Sequence, residues 1–178
     1  IKSMRGSDPD AAVYYLTRML ESGEDPLYVA RRIVRFASED IGLAEPQAMS
    51  VAVSCFQAAH YIGRPECTTS LAQAAVYMAI APKSNRIYVA YESAKKEVAR
   101  NPDLPVPFRL RNPVTPFMKE SGYGKDYLYP HDSDTGFIRE PYLPESLQEQ
   151  RFYVPSFIGK EKKIREYLES IWKRTYPK

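Results

Sequence analysis

Between residues 8 and 99 apolar residues recur at helical spacing, and polar punctuation breaks them into five segments. In "SDPDAAVYYLTRMLESG", Asp8 is placed to cap a helix, Pro9 takes the first helical position and Asp10 suits the positive end of the helix dipole. Ala12, Leu16, Met19 and Leu20 then fall on one face, and Gly23 supplies the left-handed stop. The next segment repeats the device, with Asp25 as cap, Pro26 in the first turn, a face of Ala30, Ile33, Val34 and Ala37, and Gly42 as its end. A third helix is predicted from about Pro46 to Ile62, stopped by Gly63, and a fourth from about Pro65 to Ile80, checked by Pro82. Ser84 is placed to cap a fifth that runs to about Ala99.

The proline starts, Pro9, Pro26, Pro46 and Pro65, are 17, 20 and 19 residues apart, a spacing of helix, tight turn, helix. Short connections make successive helices antiparallel neighbours, so residues 8–100 are expected to form a five-helix bundle or a short stack of helical hairpins. The segments share starts and stops but no residue pattern, which argues against a solenoid repeat.

After Arg100 the texture changes. Nine of the 15 prolines lie between Pro102 and Pro155, interleaved with Phe108, Phe117, Tyr123, Tyr127, Tyr129 and Tyr142. Disordered proline-rich segments are poor in aromatics, so residues 101–178 are expected to pack on the same domain along a proline-stiffened path. "TPFMKESG" predicts one short helix and "RFYVP" a strand-like piece. The last helix, about Lys160 to Arg174, puts Ile164, Leu168 and Ile171 on one face. The expected class is all-α.

Charge narrows the function. The 25 basic and 22 acidic side chains leave a net +3, and the division at residue 100 is even, with 12 basic and 11 acidic residues before it and 13 and 11 after it. Neither half is the basic arm of a dedicated nucleic-acid binder. Cys55 and Cys67 lie inside apolar helical patterns without ligand spacing and read as buried small hydrophobes. Few cysteines and no signal-peptide composition suit a reducing cytoplasm, and no apolar run approaches the roughly 18 residues that span a bilayer. Ile1 in place of an initiator methionine leads to the expectation of a fragment.

Candidate chemistry is sparse. "GYGK", at Gly122–Lys125, lacks the earlier glycine and the following hydroxyl of a phosphate loop. His60 and His131 are far apart, and "HDSDTG" lacks the third ligand and distal glutamate of a calcium loop, so it reads as a solvated turn. Arg31 and Arg35 share a helix face that Glu39 continues, which favours an intrahelical or interdomain ion pair over a phosphate-binding ridge. The richest patch is "FRLRNPVTPFMKESGYGKDYLY", where Arg109, Arg111, Lys119 and Lys125 alternate with Phe117, Tyr123, Tyr127 and Tyr129. Cations and stacking rings are what single-stranded nucleic acid needs; the same composition suits a packed segment or a protein interface.

Four stretches, "KSMRGSDPDAAVYYLTRML", "GEDPLYVARRIVRFASEDIGLAEP", "APKSN" and "LPVPFRLRNPVTPFMKESGYGKDYLYPHD", carry a resemblance that spans nearly the whole chain in order. Together they resemble the C-terminal region of the replication-associated recombination AAA+ ATPases, the RarA or MgsA family, relatives of the Werner helicase-interacting protein. The resemblance implies a fold similar to the C-terminal collar of clamp-loader subunits, with residues 1–7 the remnant of a preceding lid. It also implies a homotetrameric parent with DNA-dependent ATPase activity, acting at stalled or gapped replication forks, in the cytoplasm and near the bacterial nucleoid, beside single-stranded-DNA-binding protein. ATP and Mg²⁺ would belong to the ATPase core of that parent. No catalytic, cofactor or metal residue is then expected on this chain, whose role would be to oligomerise the core.

Overall fold

In the computed structural model, which describes residues 1–177, the first two long helices start where their caps dictate. The Asp8 carboxylate accepts from the Ala11 N–H at 2.9 Å to open α2 (Pro9–Glu21), and Asp25 accepts from the Leu27 and Tyr28 N–H groups at 2.9 and 3.1 Å to open α3 (Pro26–Phe36). Both satisfy amides that a helix start would otherwise leave open. A short α1 (Lys2–Arg5) precedes them, and its Met4 is buried in the core. The later starts differ from expectation. Pro46 is the cap residue of α4 (Gln47–Ile62), and Pro65 sits in the turn before α5 (Cys67–Ile80). Asn85, not Ser84, holds the cap position of α6 (Arg86–Arg100); the Ser84 hydroxyl donates to Glu161 in the C-terminal region at 2.7 Å and accepts only a long bond from the Arg86 N–H at 3.4 Å.

The end of α3 also departs from the pattern. The α-helical geometry gives way after Phe36 to a π turn (Ala37–Ile41), which stops at Gly42, φ +53°, where the pattern puts the end, and a 3-10 turn (Gly42–Ala44) follows. The wider turn buries Ala37 and Ile41 together, aims the Asp40 carbonyl at the Ser84 N–H (2.8 Å), and brings the Asp40 carboxylate to Arg5 at 2.5 Å.

The interior explains the packing. α4 and α5 face inward with Ala48, Ala52, Cys55, Ala59, Cys67, Ala74, Ala75 and Ala79, small side chains that let helices approach closely. Ile33, Phe36 and Ile41 from the α3 side and Leu71 and Met78 from α5 fill the space that remains. α2 packs on α5, and α4 on both α3 and α5. Met19, placed on the core face by its spacing, is 38% exposed; Val29 and Phe36 are buried in α3, while Val34 is only half-buried. Both cysteines are buried, and burial, reinforced by Cys67, pushes the Cys55 thiol up to about 11, leaving it an inert packing group.

The fifth predicted helix does not join this interior. α6 has no buried residue, and its principal neighbours are the turns Ala37–Ile41 and Gly42–Ala44. Residues 101–159 run as irregular chain with three 3-10 turns and one short helix, α7 (Pro116–Glu120), capped by Thr115. "RFYVP" is irregular, with a bend at Phe152, and there is no strand among the described residues. The chain returns to the bundle at Gly159 and Lys160, where the Lys160 N–H donates to the Ala44 carbonyl at 2.8 Å and its ammonium pairs with Glu45 at 2.8 Å. α8 (Glu161–Trp172) follows. Ile164, Leu168 and Ile171 are half-buried as a set, but the buried residues of this helix are Glu161 and Arg165.

Candidate interaction surfaces

Folding divides the basic and aromatic patch in two. Gly124 closes a loop by donating its N–H to the Phe108 carbonyl at 2.9 Å, at φ +71° and against Pro113, a place with little room for a side chain. Inside that loop Arg111 donates to the Val106 carbonyl (2.7 Å) and to the Tyr123 hydroxyl (3.3 Å), with its guanidinium 4.3 Å from the Phe108 ring centre and 5.2 Å from that of Tyr123. The two rings meet edge to face at 5.3 Å. Arg109 pairs with Glu140 at 2.8 Å, both side chains mostly covered, and lies 5.9 Å from the Tyr142 ring. These two arginines and Tyr123 are the packing nucleus of the extension rather than a free surface. Arg111→Ala is expected to loosen it at a cost of about 2–3 kcal/mol, since a flat cation between two rings and a carbonyl bond both go. Loss of amide hydrogen-exchange protection confined to residues 104–125 would check it.

The other half of the patch faces outward. Lys119, Lys125 and Tyr127 are exposed, beside Phe117 at 76% and Tyr129 at 54% exposure. Of the four cations that the spacing offered, Lys119 and Lys125 have no ion-pair partner among the described residues and stay exposed, as do the three rings. The far end of the extension is tied to α8: Phe137 and Tyr142 stand edge-on to Trp172 at 5.2 and 6.4 Å, and Arg139 donates to the Ile171 carbonyl at 3.0 Å.

The second candidate set separates as well. Arg35 pairs with Glu39 at 2.6 Å across the end of α3, on the exposed surface, whereas Arg31 turns back to the Asp25 cap at 3.3 Å. One row on the helix becomes two unrelated pairs. In "HDSDTG" the Ser133 and Thr135 hydroxyls both bond to the Phe137 carbonyl, closing a turn, and no group of three or more acidic, histidine or cysteine side chains among the described residues could hold a metal.

Sequence reasoning missed a buried polar cluster. The Glu161 carboxylate, fully buried, accepts from the Ser84 hydroxyl (2.7 Å), the Ser156 N–H (3.0 Å) and the Tyr153 hydroxyl (3.1 Å). Burial pushes its pKa up, but the donors at Ser156, Ser84 and Tyr153 outweigh that and hold it below the ordinary value. Burial and the same carboxylate push the Tyr153 phenol up. One turn on, Arg165 donates to the Pro155 carbonyl at 2.9 Å and to the Tyr176 and Pro177 carbonyls, pairs with Glu169 at 3.2 Å and lies 4.1 Å from the Phe157 ring centre. This cluster binds residues 153–177 into a strap across the bundle. "GKEKKIREYLES" offers no signal for it, because Glu161 and Arg165 look like any exposed pair on a polar helix face.

Comparison with known proteins places the chain. Residues 6–172 match the family model described as "MgsA AAA+ ATPase C terminal". An uncharacterized protein of Thermotoga maritima is 51% identical over 176 residues, 99% of this chain and 28% of that protein. Replication-associated recombination protein A of Coxiella burnetii is 51% identical over 169 residues, 94% of this chain and 38% of that protein. ATPase WRNIP1 of Dictyostelium discoideum is 46% identical over 153 residues, 85% of this chain and 18% of that protein. The chain thus spans well under half the length of each of these relatives.

Proposed function

The chain belongs to the MgsA AAA+ ATPase C-terminal family, and from that premise we propose that it is a non-catalytic helical domain that assembles copies of a AAA+ ATPase working in replication-associated recombination. The observation that carries this reading is how apolar surface is distributed. An alanine-lined bundle closes on its own core, yet a whole amphipathic helix, α6, stands outside it with Ile87, Tyr91 and Val98 exposed. Such a body presents faces to neighbours, and linked copies raise the effective concentration of whatever each copy carries. A closed homotetramer is the symmetric form we expect. ATP and Mg²⁺ would be held by the ATPase core of the parent, and that core would be the domain's other neighbour. No helix among the described residues is long and apolar enough to cross a membrane, and we place the parent in the cytoplasm, near the nucleoid in bacteria.

Light scattering of this chain over a concentration series, at low and high salt, tests the proposal. A salt-resistant mass near four times 20.4 kDa is expected; a monomer at every concentration sinks it.

A second reading rests on the outward half of the extension, where Lys119, Lys125, Phe117, Tyr127 and Tyr129 stay exposed. This surface suits single-stranded or fork DNA, or an acidic segment such as one on single-stranded-DNA-binding protein. Lys119→Glu with Lys125→Glu is expected to abolish salt-dependent binding of a fluorescent single strand by the chain. Unchanged affinity in that variant would remove the surface from consideration.

A further inference from the structure

α6 carries a stripe that the fold leaves without a partner. Ile87, Tyr91, Ala94 and Val98 are spaced 4, 3 and 4 residues apart, the seam of a helix that pairs with another helix. Ile87 is 40%, Tyr91 67% and Val98 65% exposed, and Ala94 half-buried. Only the first turn is seated, where Ile87 comes close to Gly42.

The geometry points to a second copy of α6, antiparallel, as the occupant of this stripe. The inference rests on the scaffold reading above and locates one of its contacts. Charge fits a second copy as the partner, and side-chain size chooses the direction. A two-fold axis between Tyr91 and Ala94 sets Tyr91 opposite the second copy's Ala94, so the largest side chain of the stripe meets the smallest, and Ile87 opposite the second copy's Val98, two branched side chains of similar size. A parallel pair would stack Tyr91 on its own image and leave a void at Ala94.

The flanks agree. At 3.6 residues per turn, Arg86 and Glu97 border the stripe on one side and Tyr88 and Lys95 on the other. Antiparallel pairing brings Arg86 of each copy beside Glu97 of the other, and Tyr88 beside Lys95, an ion pair and a cation–ring contact, each made twice. Parallel pairing would instead face the Arg86 and Glu97 flank with the second copy's Tyr88 and Lys95 flank, so Arg86 and Glu97 would not meet. The side chains are available for this. Arg86 has no ion-pair partner among the described residues, and Lys95 reaches Glu92 only at 3.9 Å. The Asn101 amide binds one oxygen of Glu97 at 2.7 Å, leaving the other to accept. Lys96 lies on the opposite face of the helix.

The test is sedimentation equilibrium on this chain with charge-swap variants. Arg86→Glu, Glu97→Arg and Tyr91→Glu are each expected to raise the dissociation constant at least about tenfold, and the double variant Arg86→Glu/Glu97→Arg to restore it to within about threefold of wild type. Lys96→Glu should leave it unchanged, and circular dichroism should show all five equally helical. If wild type assembles and the single reversals do not weaken it, or the double variant fails to recover, the seam is elsewhere and the scaffold reading stands without it. A wild type that stays monomeric overturns both.

Discussion

Replacing Glu161 with leucine is expected to cost about 3–5 kcal/mol and to release the strap from the bundle. The carboxylate ends up fully buried with three donors aimed at it, from Ser84, Ser156 and Tyr153. Leucine fills much of the volume but accepts nothing, so each donor is stranded away from water at roughly 1–3 kcal/mol. Glu161→Gln should cost less, since its carbonyl still accepts while its amide meets donors. Trp172, the single tryptophan, stands against Phe137 and Tyr142 at the other end of α8 and reports the strap locally. In urea the Trp172 fluorescence midpoint of the leucine variant should fall ahead of the circular dichroism midpoint of the bundle. A shift under about 0.5 kcal/mol would mean that the cluster holds nothing.

The same group gives the strap its pH dependence. The donors hold the Glu161 pKa below its unfolded value, so its contribution is fully present above the ordinary carboxylate range. It is lost as pH falls through the lower, folded pKa. Trp172 fluorescence in wild type should therefore hold through neutral and mildly acidic pH and change below that range. The leucine variant should lack this transition.

Gly159→Ala is the second large effect, about 2–4 kcal/mol, with the strap again the part that moves. Gly159 sits at φ +56°, and an added Cβ would run into the Ala44 carbonyl oxygen and come within 3.0 Å of the Ala44 carbonyl carbon and Pro82 Cγ. Backbone on one side and a proline ring on the other give it nowhere to go. Lifting the chain there breaks the Lys160 N–H bond to Ala44 and the Lys160–Glu45 pair beside it. Gly23→Ala provides the comparison. Its φ is +92° with nothing within 4 Å of the added atom, so only the left-handed backbone penalty of about 1–2 kcal/mol applies. Equal losses in the two variants, measured by thermal unfolding, would refute the steric account.

α2 and α3 were legible because their determinants are local. An aspartate cap, a proline at the first position and a glycine stop act within a few residues, whatever the rest of the chain does. The all-α class and the inward Ala12, Leu16, Leu20, Ala30 and Ile33 follow from that local pattern. The fate of α6 was not legible. An amphipathic stripe reads the same whether it faces a core or stands outside one, and only the packing of α1 to α5 shows that the interior is already full. Arg109 and Arg111 looked like free cations until Glu140, Phe108 and Tyr123 were brought to them across loops, and Lys119 and Lys125 differ from them only in what the chain placed nearby. Glu161 lies furthest from prediction. Its burial depends on Ser84, 77 residues away, and a carboxylate inside a protein is tolerable only when distant donors converge on it. Periodicity and capping, which act between near neighbours, determined the helices; which faces and charges ended up hidden was decided by contacts between residues far apart in the chain.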